Sequence, residues 1–255
     1  MKMEFLPDGP ALVVENRERV LVAGDLHLGI EPSLSRQGVH IRSRSRERID
    51  RLIACIESAG PDTLALLGDI KHGVPFTTRQ EMREIRDFFD EIRSIIPFFV
   101  LPGNHDPGIE EFLRPDELFP RDGALVDGVG YLHGHTYPNP ALRGHLILAG
   151  HHHVMVSVRD EVGCALRAAG YLLARVNETC LQFPPGGDES GTVTRALFVP
   201  AFCELAGYDI QHMIRDPISP LSRCIDIPTS ELFLSDGTFV GPLSFLEEDA
   251  NDSEP

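Results

Sequence analysis

The chain has 255 residues, 42% of them hydrophobic and 24% charged, with a formal net charge of −16. It is long enough to bury a sizeable core, its acid excess argues against indiscriminate nucleic-acid binding, and no run is long and apolar enough to span a bilayer. The opening "MKMEFLPDGPALVVENRERV" has Pro, Asp and Gly where a secretory leader needs an apolar stretch, so a cytoplasmic protein with no membrane partner is expected. Five scattered cysteines (Cys55, Cys164, Cys180, Cys203, Cys224), with no CxxC pair, predict reduced core residues rather than a disulfide frame.

In chain order, "ALVVE" and "RVLVAGD" read as β segments joined by the polar turn "NRER". A helix follows over about residues 43–59, because Ile49, Leu52, Ile53 and Ile56 recur at helical spacing and Gly60-Pro61 stops it. "TLALLGD" is a continuous apolar run of strand length, the pattern of a strand buried on both faces. Thr78 and Glu81 form a capping box for a second helix, with Met82, Ile85, Phe89, Ile92 and Ile96 on its inner face. "FFVLPGNHD", "GVGYLHGH" and "HLILAGHHH" are further strands with polar ends. Past residue 154 the pattern turns to β segments ("VMVSVRD", "YLLARVN", "RALFVP", "GTFVGPL"), interrupted by the loop-like "FPPGGDESGT". Alternating strands and helices predict an α/β fold with parallel pairing. One domain is expected over residues 1–245, with 155–245 as its β-rich C-terminal part and 246–255, "LEEDANDSEP", as an acidic disordered tail.

Each apolar strand ends in groups that bind metals. Asp25 and His27 follow the first, Asp69 the second, and Asn104, His105 and Asp106 the third; His133 and His135, then His151 and His153, follow the last two. Strand ends of an open α/β sheet are where ligands sit, so these groups should converge. Strand alternation through "AGHHHV" puts His151 and His153 on one side and His152 on the other, as a spacer. Mixed carboxylate and imidazole donors suit manganese, iron or zinc. Two such ions about 3.5–4 Å apart can hold a hydroxide in line with a phosphorus atom. Glycines beside the ligands (Gly24, Gly68, Gly103, Gly134, Gly150) permit sharp turns there.

These motifs, in this order over residues 20–155, resemble the calcineurin-like metallophosphoesterase superfamily. The resemblance implies a four-layer α/β/β/α sandwich of two mixed sheets flanked by helices. It implies one metal held by Asp25, His27, Asp69 and His153, and a second by Asp69, Asn104, His133 and His151, with Asp69 bridging. His105 would face the leaving-group oxygen or a phosphate oxygen, with Asp106 orienting its ring. "DLHLGIE", "GDIKH", "FVPAFCELAGYDI…ISPL" and "DGTFVGPL" are similar to a narrower subgroup of small archaeal and bacterial enzymes, which includes DNA-ligase-associated, manganese-dependent DNA endonucleases; Val154 stands where that subgroup often has a proline. In that subgroup a histidine at the place of His72 lines the active site.

The resulting expectation is a manganese-dependent endonuclease for single-stranded DNA, with DNA-repair proteins as partners. A phosphodiesterase or phosphatase for small nucleotides, cyclic ones included, is the alternative, and a non-catalytic binding scaffold the third reading. Arg36, Arg42 and Arg44, in the arginine-rich segment between two ligand-bearing strands, and His135 are the candidate substrate contacts. Lys71 reads as a surface charge. With no Trp and four Tyr, an aromatic stacking platform is not evident, so base readout should be weak.

Overall fold

The computed structural model describes residues 1–36, 38–39, 41–74, 78–159, 165–184 and 193–244. The acidic tail, Cys164 and most of the "FPPGGDESGT" loop lie outside the described residues. Strands β1 (Lys2–Phe5), β2 (Leu12–Glu15) and β3 (Arg19–Ala23) form an antiparallel meander. After helices α1 (Glu31–Arg36) and α2 (Ser45–Ala59), β4 (Thr63–Leu66) lies parallel to β3. Helix α3 (Arg79–Ile95) then returns the chain to β5 (Phe98–Val100), parallel to β4. The first sheet is therefore mixed, in the order β1-β2-β3-β4-β5.

The second sheet contains β6 (Ala124–Val126), β7 (Val129–Leu132), β8 (Leu146–Ala149), β9 (Val154–Arg159), β10 (Ala165–Val176), β11 (Arg195–Phe198) and β12 (Tyr208–Asp209). Helices α4 (Ile210–Arg215) and α5 (Pro220–Arg223) precede β13 (Ile225–Leu234) and β14 (Phe239–Pro242). Its main path runs β12-β9-β10-β11-β8-β7-β6, with β13 added beside β10 and β14 beside β13. Residues beyond 154 thus extend the same sheet that carries β7 and β8.

Alternation along each strand sorts three apolar layers. Val13, Leu21, Ala23, Leu64 and Leu66 pack on Leu52, Ile56, Ile85 and Phe89 of α2 and α3. Leu12, Val14, Val20, Val22 and Ala65 face Tyr131, Leu148, Tyr171 and Leu197 across the gap between the sheets. Ile147, Ala149, Leu172 and Phe198 pack on Ile210, Met213 and Leu221 of α4 and α5. Burial on both faces explains the unbroken apolar runs of the sequence, and the result is the α/β/β/α layering. Gly60 ends α2 with a left-handed φ of 55°, and the Thr78–Glu81 capping box starts α3.

Two expectations fail here. Cys180 and Cys224 form a disulfide, with Cα atoms 5.6 Å apart and a sequence separation of 44. The turn after β10 lies against the end of α5, where Asn177 N–H donates to the Cys224 carbonyl. Cys55 and Cys203 are free and buried. The cysteines therefore give no support to a reducing compartment. Lys71 is not a surface charge: it is 2% exposed, and its Nζ donates to the Gly73 carbonyl at 2.8 Å. Among the described residues, no helix is long and apolar enough to cross a membrane.

Candidate metal centre

The loops leaving β3 and β4 run side by side. Asp25 N–H donates to Gly68 O, His27 N–H to Asp69 O and Leu28 N–H to Ile70 O, at 2.8–2.9 Å. This register sets the Asp25–His27 loop against Asp69. Gly68 and Gly103 are required by space: a Cβ on Gly68 would lie 2.6 Å from the Leu101 carbonyl, and one on Gly103 would lie 2.1 Å from an Asp69 carboxylate oxygen.

Asp69 is the centre of the arrangement. Its Oδ2 lies 3.9 Å from His27 Nε2 and 3.5 Å from His133 Nε2, while its Oδ1 accepts the His105 backbone N–H at 2.8 Å. Two groups of donor atoms share it. Asp25, His27, Asp69 and His153 offer atoms that all lie within 4.8 Å of one another, and so do Asp69, His133 and His151. Asn104 joins the second group through its Oδ1, 3.1 Å from His133 Nε2. His133 Nδ1–H donates to the Leu67 carbonyl at 2.7 Å, which leaves Nε2 as the donor to a metal.

Among the described residues, five of the seven non-glycine residues with positive φ are Asp25, His27, Asp69, His151 and His153. Such conformations cost about 1–3 kcal/mol each and persist only where the surroundings enforce them. They also correct the expected geometry of "GHHH". Strand β8 ends at Ala149, and His151 (φ 70°) and His153 (φ 44°) are left-handed, not extended. His151 and His153 still reach the donor groups and His152 still faces away, but through a turn rather than through strand alternation. Nor is His152 a mere spacer. It is fully buried, its Nδ1–H donates to Gly150 O at 2.8 Å, and its Nε2 accepts from Ser219 Oγ at 2.8 Å. Its ring stands edge-on to Phe198.

The electrostatics fit a cation-binding cavity. Burial, then Asp25 and Asp106, pushes the Asp69 carboxyl up to about 9. Burial, then neighbouring histidines, holds His27 and His133 well below the usual imidazole range, and His151 at about 3. Neutral imidazoles have the lone pairs that a metal needs. Buried carboxylates packed together call for a positive charge, because isolated buried charge is costly. Mixed N and O donors of this kind suit manganese, iron or zinc.

Asp106 does not orient the His105 ring, contrary to expectation. Its carboxylate accepts the backbone N–H groups of Ile70, Lys71 and Gly103 at 2.8–3.3 Å and so ties the β4 and β5 loops together. The His105 ring is held instead by its Nδ1–H donating to the His72 carbonyl at 2.8 Å, and it stacks on the His72 ring. His72 Nδ1 lies 3.4 Å from His27 Nδ1, so His72 backs a metal-ligand candidate as well as facing the site.

The arginine-rich segment behaves differently from expectation. Arg44 is taken up by Glu47 at 2.6 Å and Glu204 at 3.1 Å, so it is not free for a phosphate. Arg46 pairs with Asp50 and Glu91, and Arg51 with Phe202 O and Glu204. Arg42 is exposed, and only the backbone of Arg36 is described. Arg48 was missed as a site residue. It is 1% exposed, bonds Glu31 at 2.8 Å and Glu204 at 3.1 Å, and aims Nη1 at the carbonyls of Leu26 and His27. The helical spacing of Arg48 with Leu52 and Cys55 on the inward face of α2 was the available signal. Phe202 and Cys203 add backbone N–H bonds to the carbonyls of Gly24 and Asp25. The C-terminal part thus buttresses the loop that carries Asp25 and His27.

The sequence profile of the calcineurin-like phosphoesterases matches residues 18–154, more than half of the chain. This chain belongs to the calcineurin-like phosphoesterase family. Among solved structures, this phosphoesterase is similar in fold to the nuclease MPE of Pseudomonas putida. The two are 18% identical with a TM-score of 0.50, over 88% of this chain and 95% of that chain. YfcE, a phosphoesterase from E. coli, matches at 16% identity and a TM-score of 0.35, over 55% of this chain and 73% of its own. In this phosphoesterase His135 lies next to the second donor group, its ring centroid 5.1 Å from that of His133 and 6.0 Å from that of His151.

Proposed function

We propose that the chain hydrolyses phosphodiester bonds with two divalent ions, preferably manganese, and acts as an endonuclease on single-stranded DNA. The observation that carries the reading is the sharing of Asp69 by two groups of donor atoms. Asp25, His27, Asp69 and His153 would hold one ion, and Asp69, Asn104, His133 and His151 the other. When bound, the ions supply Lewis acidity and a water of lowered pKa. His105 has Nδ1–H committed to the His72 carbonyl, so Nε2 is the atom left to carry a proton to the leaving oxygen. A binding scaffold has no chemical need for that group.

The nuclease reading is supported by the fold similarity to the P. putida nuclease, which extends over 88% of the chain and so beyond the family profile. A phosphodiesterase of small nucleotides is the second reading. The carboxylate pairing of Arg44, Arg46, Arg48 and Arg51 favours it, as does the charge of −16. Manganese-loaded protein incubated with circular single-stranded DNA separates the two, because a circle offers no ends. Linearisation of the circle supports the endonuclease. An intact circle together with hydrolysis of cyclic or mononucleotides replaces it with the small-nucleotide enzyme.

A further inference from the structure

Substrate contacts were expected on the arginine-rich segment, yet its cations are largely spent on carboxylates. The His135 side of the centre differs. Tyr137 follows His135 by two residues and is 48% exposed, whereas Tyr131 and Tyr171 are fully buried. Thr136 Oγ1–H donates to the Arg121 carbonyl at 3.3 Å. Asn139 N–H donates to Asp122 O at 2.7 Å, and its Nδ2–H to Asp122 Oδ2 at 3.0 Å. The turn carrying Arg121 and the segment carrying Tyr137 are therefore laced into one patch. Asn139 also occupies the carboxylate next in sequence to Arg121. Arg121 makes no ion pair among the described residues, in contrast to the paired Arg44, Arg46, Arg48 and Arg51. Between this patch and the metal-ligand candidates sits His135, whose Nδ1 is buried and has no hydrogen-bond partner among the described residues. A free guanidinium and an exposed aromatic ring thus share one rim, with the partly buried His135 ring between them and the metal-ligand candidates.

We propose that Arg121 and Tyr137 form a substrate subsite beside His135 and the second donor group, in which Tyr137 stacks a base of a single-stranded nucleic acid while Arg121 receives an adjoining phosphate. The subsite rests on the nucleic-acid reading above and names where the strand lies. Every base has a π-face, so stacking on Tyr137 adds affinity without sequence readout.

The test is equilibrium binding to the manganese-loaded full chain by fluorescence anisotropy. Two nuclease-resistant phosphorothioate strands of equal length are compared, one oligothymidylate and one abasic. Tyr137→Ala should weaken the oligothymidylate by about 5- to 150-fold, the range of one aromatic–base stack, and leave the abasic strand unchanged. Tyr137→Phe should behave as wild type. Arg121→Gln should weaken both strands and make the salt dependence shallower by about 0.7 in log–log slope, one phosphate contact. Unchanged oligothymidylate binding by Tyr137→Ala, or equal losses on both strands, overturns the stacking role. An unchanged salt slope for Arg121→Gln overturns the phosphate contact. If wild type binds neither strand, the nucleic-acid reading fails and the subsite with it; if wild type binds and the variants are indifferent, only the subsite fails.

Discussion

Ser219→Ala tests how the "GHHH" turn is held. Ser219 is fully buried, and its Oγ has two tasks: it meets His152 Nε2 at 2.8 Å and accepts the Ser222 N–H at 3.0 Å as the cap of α5. The His152 Nδ1–H donates to Gly150 O, so Nε2 is an acceptor and the serine hydroxyl must donate. Burial keeps this imidazole neutral, with its pKa lowered to about 4. Removing the hydroxyl costs about 1 kcal/mol for the cap and about 1–3 kcal/mol for a buried nitrogen left unpaired. A loss of about 2–4 kcal/mol in urea denaturation is therefore expected. The consequence for function is separate. His151 and His153 hold left-handed conformations on either side of His152, and a loosened His152 lets both relax. Second-sphere losses typically weaken metal binding by about 10–100-fold, and manganese titration by calorimetry should show a drop of that order. A variant that is destabilised but binds manganese as wild type does would refute the clamp.

Three further outcomes follow from the same structure. His105→Ala should retain metal but cleave alkyl diesters about 10²–10⁴-fold more slowly, and nitrophenyl diesters much less so, because nitrophenolate needs little protonation; equal losses would mean that His105 stabilises phosphate charge instead. Gly103→Ala should give little folded, metal-binding protein by circular dichroism and metal analysis, since its Cβ collides with Asp69; a well-folded variant with normal metal content would contradict the packing. Arg93 bonds Glu117 at 2.7 and 2.8 Å and depresses the Glu117 pKa below its ordinary 4.5. That stability is present above about pH 4.5 and is lost as pH falls through the folded value, so Glu117→Gln should be less stable than wild type at pH 7, with the gap closing below pH 4.5.

The α/β alternation and the candidate ligand positions could be read locally, whereas the four-layer sandwich came from the family resemblance. Helical spacing located α2 and α3, and each ligand candidate directly follows an apolar run. What stayed hidden depends on distant partners. Ser219 reaches His152 across 67 residues, and Glu204 reaches Arg48 across 156. The Cys180–Cys224 bridge likewise has no signature in its spacing. Strand β13 has no counterpart in the sequence reading, because Pro228 and its polar neighbours interrupt any strand pattern; its register with β10 shifts between Leu173 and Arg175, where such residues are tolerated. Strand β1 is short and half exposed, so its alternation is faint. Arginine density over residues 36–51 suggested phosphate binding by Arg36, Arg42 and Arg44, but Glu91 and Glu204, among the partners that neutralise Arg44, Arg46 and Arg48, come from other elements. Lys71 directly follows a turn motif, and nothing local announces its burial.

The account turns on one carboxylate serving two ions, and the metal content of Asp69→Asn addresses this directly. Protein loaded with manganese, desalted and analysed by mass spectrometry should hold two ions per chain as wild type. In Asp69→Asn both groups of donors lose their shared carboxylate, so content should fall at both positions and phosphodiester hydrolysis should disappear. Two ions retained with normal turnover would contradict the shared site; loss of only one ion would place Asp69 in a single coordination sphere.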